Sequence, residues 1–148
     1  MQIGMQTYKA ALVKVYLGRF NISGFGEDTF IEVEYNSDAF ETNVGAQGDV
    51  SRSQNADDTI KVVLTLKGES LSNDVLSGIA AVDRLLATEV YPLLIKDGSG
   101  TTLVSAGECW IKKPASIGFG KKREHCKWEL VGAHTYVKVG GTMPVVRD

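Results

Sequence analysis

The segment Thr59 to Lys67 constrains the fold more than any other stretch of the chain. Ile60, Val62, Leu64 and Leu66 alternate with Thr59, Lys61, Thr65 and Lys67, and only Val63 interrupts the pattern. Side chains point to opposite faces at each step along a strand, so this alternation predicts a β-strand with one buried face. That face must be covered, which requires neighbouring strands and a second layer. The same logic applies at Thr29 to Tyr35, where Ile31, Val33 and Tyr35 point one way and Glu32 and Glu34 the other. Residues 11 to 23 are rich in β-branched and aromatic side chains and read as one strand broken near Gly18. Gly24 to Asp28 then forms a turn. Tyr91 to Lys96, Thr101 to Ile111 and Cys126 to Val139 complete the strand set. Asp97-Gly98, set between two apolar runs, is a strong hairpin signal.

One helix stands out. Val75, Ile79, Val82 and Leu86 recur at helical spacing, Leu76 and Leu85 widen the stripe, and Ser70 or Ser72 serves as a cap. Asp74 suits the positive end of the helix dipole, and Pro92 limits the end, so the helix is expected at about residues 72–87. Residues 36–58 are polar and carry Gly45 and Gly48, with Phe40, Val44 and Val50 as their only large apolar side chains, and read as a long loop. Loops of that length in compact domains tend to be functional. Residues 112–124 form a second, basic loop, and the tail from Gly140 reads as irregular. The 148 residues fit a single domain, 1–148. The expected class is mainly β: an antiparallel sandwich or partly open barrel flanked by one helix.

The charge is unevenly distributed. Between Glu27 and Asp58 nine acids (Glu27, Asp28, Glu32, Glu34, Asp38, Glu41, Asp49, Asp57, Asp58) face one base, Arg52. Between Lys112 and Lys127 six bases (Lys112, Lys113, Lys121, Lys122, Arg123, Lys127) face one acid, Glu124. Two solvated loops would account for this. So would an acidic surface on one copy meeting a basic surface on the next, since such fields steer association and fix register. No apolar h-region opens the chain and no apolar run approaches the ~20 residues that span a bilayer, so a protein folded in the cytoplasm, without a membrane segment, is expected.

Candidate chemistry is thin. Cys109, His125, Cys126 and His134 lack the close ligand pairs of structural zinc sites, and no Gly-x-Ser-x-Gly occurs. Glu32 and Glu34 share a strand face, but alternating acids on a strand are more often a solvated surface than an acid–base pair. The Gly-Phe-Gly motifs at Gly24 and Gly118 lack the Lys and spacing of a phosphate loop. The basic loop with Phe119 could stack a nucleic-acid base, although the chain as a whole is acidic. No catalytic residue, metal or cofactor is expected.

The ordered motifs Gly45-Ala46-Gln47-Gly48-Asp49-Val50, Asp57-Asp58-Thr59-Ile60-Lys61-Val62-Val63-Leu64, the Ser-x-x-Asn-x-x-Leu helix start Ser70-Leu71-Ser72-Asn73-Asp74-Val75-Leu76, Cys109-Trp110-Ile111-Lys112-Lys113-Pro114 and Trp128-Glu129-Leu130 resemble the tail tube proteins of contractile-tailed bacteriophages. The likeness runs from about Leu17 to Gly141, with Asp49 where that family is expected to carry Glu. The related tubes of type VI secretion share the architecture. The resemblance implies a structural virion protein, assembled in the host cytoplasm, whose hexameric rings stack into the inner tail tube. Sheath, baseplate and tail terminator proteins would be its partners, and DNA would pass through the lumen without specific binding. It also implies that Glu32 and Glu34 face the lumen. Asp38, Glu41, Asp49, Arg52, Lys121, Lys122 and Arg123 would contact neighbouring subunits or rings. A secretion-tube or baseplate component, a stand-alone β-sandwich binding module and a small hydrolase are the alternatives. Trp110, Trp128 and Tyr136 are too scattered to favour a carbohydrate-binding face.

Overall fold

A computed structural model describes residues 2–147, with side chains described for residues 5–143. The strands are β1 (Gln2–Gln6), β2 (Val13–Leu17), β3 (Phe20–Ile22), β4 (Ile31–Tyr35), β5 (Phe40–Val44), β6 (Val50–Gln54), β7 (Ile60–Leu66), β8 (Tyr91–Asp97), β9 (Leu103–Lys113), β10 (Cys126–Lys138) and β11 (Pro144–Arg147). The helix α1 (Ser72–Leu86) lies between β7 and β8. Seven strands form one antiparallel sheet in the order β3-β2-β8-β9-β10-β7-β4. The class is the one expected, mainly antiparallel β with one helix, and the sheet is open rather than a closed barrel. Its margins β3 and β4 do not pair. The chain leaving β3 instead crosses to the end of β7, where the Lys67 N–H donates to the Gly24 carbonyl (2.8 Å) and the Gly26 N–H to the Thr65 carbonyl (3.1 Å).

Three segments differ from the sequence reading. The break at Gly18 is a hairpin: Leu17 pairs with Phe20, and Gly18 takes a left-handed φ of 59°, which glycine adopts without a Cβ penalty. The tail is not irregular throughout, because β11 pairs with β1. Residues 36–58 are not a loop but carry the hairpin β5–β6, in register from Phe40↔Gln54 to Val44↔Val50.

The core lies on the face set by β7. Ile60, Val62, Leu64 and Leu66 are at most 1% exposed and meet Leu130, Trp128 and Cys126 of β10, Cys109 and Ile111 of β9, and Leu17 and Ile22 from β2 and β3. In β9 the buried positions change parity, from Val104 and Ala106 to Cys109 and Ile111. In β10 Cys126, Trp128 and Leu130 are buried, whereas beyond the change it is Val137 that packs on the core. Gly107 and His134 lie opposite one another at that change, and His134 has φ 54°. Next to it Thr135 meets Asp58, its hydroxyl donating to the Asp58 carbonyl (2.7 Å).

Helix α1 covers this core through its first half only. Ser72, Leu76 and Ile79 are buried, whereas Val82, Leu85 and Leu86 are 39%, 83% and 66% exposed. The expected apolar stripe is real, but its second half finds no apolar surface in its own chain. Leu71, not either serine, occupies the N-cap position; Ser70 still reaches the first helical N–H, while Ser72 ties the helix start to Ser23. The Ser70 hydroxyl accepts from the Ser72 N–H (3.2 Å) and donates to the Ser23 carbonyl (2.7 Å), and the Ser72 hydroxyl accepts from the Ser23 N–H (3.0 Å). Asn73 fastens the helix to the sheet: its amide donates to the Lys67 carbonyl (2.9 Å) and its Oδ1 accepts from the indole Nε1 of the buried Trp128 (2.9 Å).

Backbone hydrogen bonds and a polar latch hold the base of the arm β5–β6. The Asn36 N–H donates to the Thr59 carbonyl (3.1 Å), and the Asn55 N–H to the Ala39 carbonyl (2.9 Å). Asp57 accepts from the Ser37 hydroxyl (2.6 Å) and from the hydroxyl (2.7 Å) and N–H (3.0 Å) of Thr59. These donors, Ser37 foremost, hold its carboxyl down at about 2, below the ordinary 3.8. Because the folded-state value lies below the ordinary one, the latch is complete above about pH 4 and is lost as pH falls through about 2.

Two outcomes follow from these contacts. Asn73→Ala strands the buried indole N–H and should destabilise the domain by about 1–3 kcal/mol, read as a lower urea midpoint at unchanged slope. Asp57→Ala should loosen the arm alone: amide exchange at Asn55 and Thr59 rises about ten-fold, while the thermal midpoint of the sheet shifts by less than about 2 °C.

Candidate assembly surfaces

Strand β7 is an axle with a different surface at each end. At its Ile60 end the arm leaves the body, since Tyr35 of β4 pairs with Ile60. Every residue from 38 to 58 is exposed. The arm gathers Asp38, Glu41, Asp49 and Arg52. Glu41 lies across from Ser53 and Arg52 across from Thr42. The Arg52 guanidinium sits 4.1 Å from the centre of the Phe40 ring, which orders both side chains without burying them. The tip is closed by Val44↔Val50, by the Gly45 N–H donating to the Asp49 carbonyl (2.7 Å), and by Gly48 at φ 87°. A five-residue strand on each side of a glycine-bearing tip was present in the sequence, but alternation was masked because neither face is apolar.

At the Leu66 end lie the basic loop and the start of α1, because Cys126 pairs with Leu66. Lys121, Lys122 and Arg123 are exposed there. A bridge between Phe119 and Arg123 folds the loop on itself, with the Arg123 guanidinium 4.9 Å from the Phe119 ring centre. A groove of about 430 Å³ separates this loop from the helix, lined by Ala80, Ala81, Arg84, Ala115, Ile117 and Arg123 among others. Arg84 and Ile117 carried no signal in the sequence, since each is unremarkable until helix and loop are brought together. The arm with Asp38, Glu41 and Asp49 and the basic loop thus leave opposite ends of one strand, whereas Glu27 and Asp28 follow Gly26, which bonds to Thr65 at the loop's end.

The third surface is the outer face of the sheet near its β4 margin. Glu32 lies across from Val63 and Glu34 across from Lys61, both glutamates exposed. Lys61 Nζ lies 3.9 Å from Glu34, and Lys112 Nζ 3.7 Å from Glu129. The face is therefore mixed in charge rather than acidic. Glu32 and Glu34 belong neither to the arm nor to the basic loop.

Groups with chemical potential do not converge. Burial pushes the Cys109 thiol up to about 12, so it stays protonated and a poor nucleophile. Cys126 is also buried, while His125 and His134 are exposed. Among the described residues no three His, Cys, Asp or Glu side chains come together as metal ligands, and no helix is long and apolar enough to cross a membrane. The Tyr91 hydroxyl donates to Glu89, whose carboxylate, with some burial, raises the phenol above its ordinary range. A larger groove of about 630 Å³ lies between Ile31 and Val33 on one side and Val13, Ile95, Val104 and Val137 on the other. Its walls are mainly apolar, and Glu27, Asp28, Asp97 and Thr102 also line it.

No protein-family model matches the sequence. The fold is similar to that of a chain in the tube-terminating cap of the anti-feeding prophage (TM-score 0.64, 11% identity, 93% of this chain and 95% of that one). It is also similar to a chain of the sheath–tube complex of an extracellular contractile injection system in the extended state (TM-score 0.53, 12% identity, 94% and 93%). A third likeness is to a chain in the virion of a native gene transfer agent particle (TM-score 0.51, 11% identity, 90% and 100%). At these identities the likeness is one of fold. In sequence the chain is 32% identical over 126 residues to structural protein ORF10 of Pseudomonas phage KPP10, covering 84% of this chain and 73% of that protein. An open antiparallel sheet and this degree of identity over most of both chains lead to one conclusion: the chain belongs to the phage structural protein family that includes ORF10 of phage KPP10.

Proposed function

We propose that this protein is the subunit of a phage inner tail tube, built from six-membered rings that stack into a conduit for DNA. The observation that carries the reading is the open margin of the seven-stranded sheet. Among the described residues β4 pairs with β7 on one side and with no strand on the other, so its outward N–H and C=O groups are available to a neighbouring copy. Ring closure would satisfy both margins at once, since an interface repeated by rotation removes free edges. The fold likeness to parts of contractile injection systems and of a virion supports an architectural role, which calls for no catalysis. Sheath, baseplate and terminator proteins would then be its partners in the particle.

The outer face bearing Glu32 and Glu34 is our candidate for the lumen wall. A conduit must not grip its cargo, and phosphate binding grows with the number of unpaired Lys and Arg contacts. On this face Lys61 and Lys112 are each close to a carboxylate, which leaves little net attraction for a phosphate backbone.

Negative-stain imaging of the purified protein tests the assembly. Rings and tubes are expected, and monodisperse monomers at every concentration would sink the reading. Rings that never stack would favour a terminating cap, the role named for the solved chain of TM-score 0.64. A phage carrying Glu32→Lys with Glu34→Lys should assemble normally and deliver DNA more slowly; delivery at the unaltered rate would remove both residues from the lumen.

A further inference from the structure

The registers across β2, β8, β9 and β10 lay two rows of side chains on the outer face of the sheet. In the first, Lys14 lies across from Lys96, Lys96 from Leu103, and Leu103 from Lys138. In the second, two residues along each strand, Tyr16 lies across from Leu94, Leu94 from Ser105, and Ser105 from Tyr136. All three lysines are exposed, as are Tyr16 at 38% and Tyr136 at 58%. Direct cross-strand partners share a face, so each row is continuous over about 14 Å, three strand spacings of ~4.8 Å. No carboxylate stands in either row. Asp97, next to Lys96, has the opposite parity and accepts from the N–H (2.9 Å) and hydroxyl (2.7 Å) of Ser99. Among the described residues the ion pairs are Lys61–Glu34 and Lys112–Glu129, and none of the three lysines takes part. Lys14 and Lys96 face each other as like charges, an arrangement that costs stability and that a bound anion would relieve.

We propose that this four-stranded face binds single-stranded nucleic acid, with phosphates on the lysine row and unpaired bases on Tyr16 and Tyr136. The rows run side by side about 7 Å apart, so one nucleic-acid strand meets both at once. Their length spans about four nucleotides at the ~3.4 Å rise of a duplex strand. Exposed rings can stack only on bases that are unpaired, which selects single strands over duplex. An acidic peptide would satisfy the lysines alone, whereas two rings beside them suit an anionic chain that carries π-faces along its length. Such contacts read phosphate and ring, not sequence. The face lies across the sheet from Glu32 and Glu34, beyond β9 and β10, so it is separate from the candidate lumen wall. It goes beyond the tube reading and does not depend on it, because every copy carries the whole face.

Fluorescence anisotropy of a labelled oligo(dT) of about 15 nucleotides, titrated with the full-length protein, tests the site. Three phosphate contacts predict a slope of about −2 for log affinity against log salt, roughly a 20-fold loss between about 50 and 200 mM. Lys14→Ala with Lys96→Ala and Lys138→Ala should flatten that slope toward zero, with an unchanged urea midpoint showing the fold intact. Should the three alanines disturb the sheet, Lys96→Gln alone should lower the slope by about 0.7. Tyr16→Ala or Tyr136→Ala should weaken binding about ten-fold at unchanged slope. Lys121→Ala with Lys122→Ala, in the basic loop, should change neither quantity. No binding at the lower salt, an unmoved slope in the lysine variants, or loss of binding in the basic-loop variant overturns the proposal. Equal binding of duplex DNA overturns it in favour of a site for phosphate alone. Displacement of oligo(dT) by polyglutamate of matched charge overturns it in favour of an acidic protein.

Discussion

The register of β7 is the constraint on which everything else depends. Its four apolar side chains lie at the centre of the core, between β10 and β4, and a slip of one residue would turn all of them to the outer face. At about 1.5–3 kcal/mol for each large apolar side chain buried, such a slip is forbidden. Fixing this strand also fixes what hangs from its ends. The arm must leave where β4 hands over to β7, and the helix must start where β7 stops. The polar latch around Asp57 and the Asn73–Trp128 hydrogen bond then orient each appendage on the strand.

This arrangement explains why the domain looks unfinished as a monomer. The core is filled by one face of the sheet and the first half of α1. The second half of α1, the arm tip and the basic loop keep Leu85, Val50 and Phe119 at 83%, 72% and 78% exposed. Exposed apolar side chains on projecting elements, with carboxylates in the majority on the arm and bases in the majority on the loop, are what a subunit of a polar stack would carry. The mixed outer face of the sheet is different in kind: its charges pair with each other and leave a surface suited to contact without adhesion.

Much of the body was legible because it depends on short-range pattern. The alternation at 59–67, the helical spacing from Val75 and the Asp97-Gly98 turn each predict an element that the structure contains, since apolar periodicity and turn chemistry are local properties. The hairpin β5–β6 was not legible for the same reason: with every residue exposed, neither of its faces carries an apolar signal. The β1–β11 pair joins segments about 140 residues apart, and no local pattern announces such a partner. Reading 11–23 as one strand failed at Gly18, where a left-handed glycine permits a reversal that strand propensity does not register. The helix stripe was read correctly, but its burial was overstated, because periodicity reports which side is apolar and not how far the neighbouring sheet extends.

By itself, then, the chain determined an antiparallel, mainly β domain with one helix, an acidic half and a basic half. Alternation, spacing and charge count are written in residue order. Only the tertiary structure decided that the arm and the basic loop leave opposite ends of β7, that β4 is paired on one side alone among the described residues, and that Arg84 and Ile117 border one groove. Those relations come from register and crossover, which bring together residues that the linear chain keeps far apart.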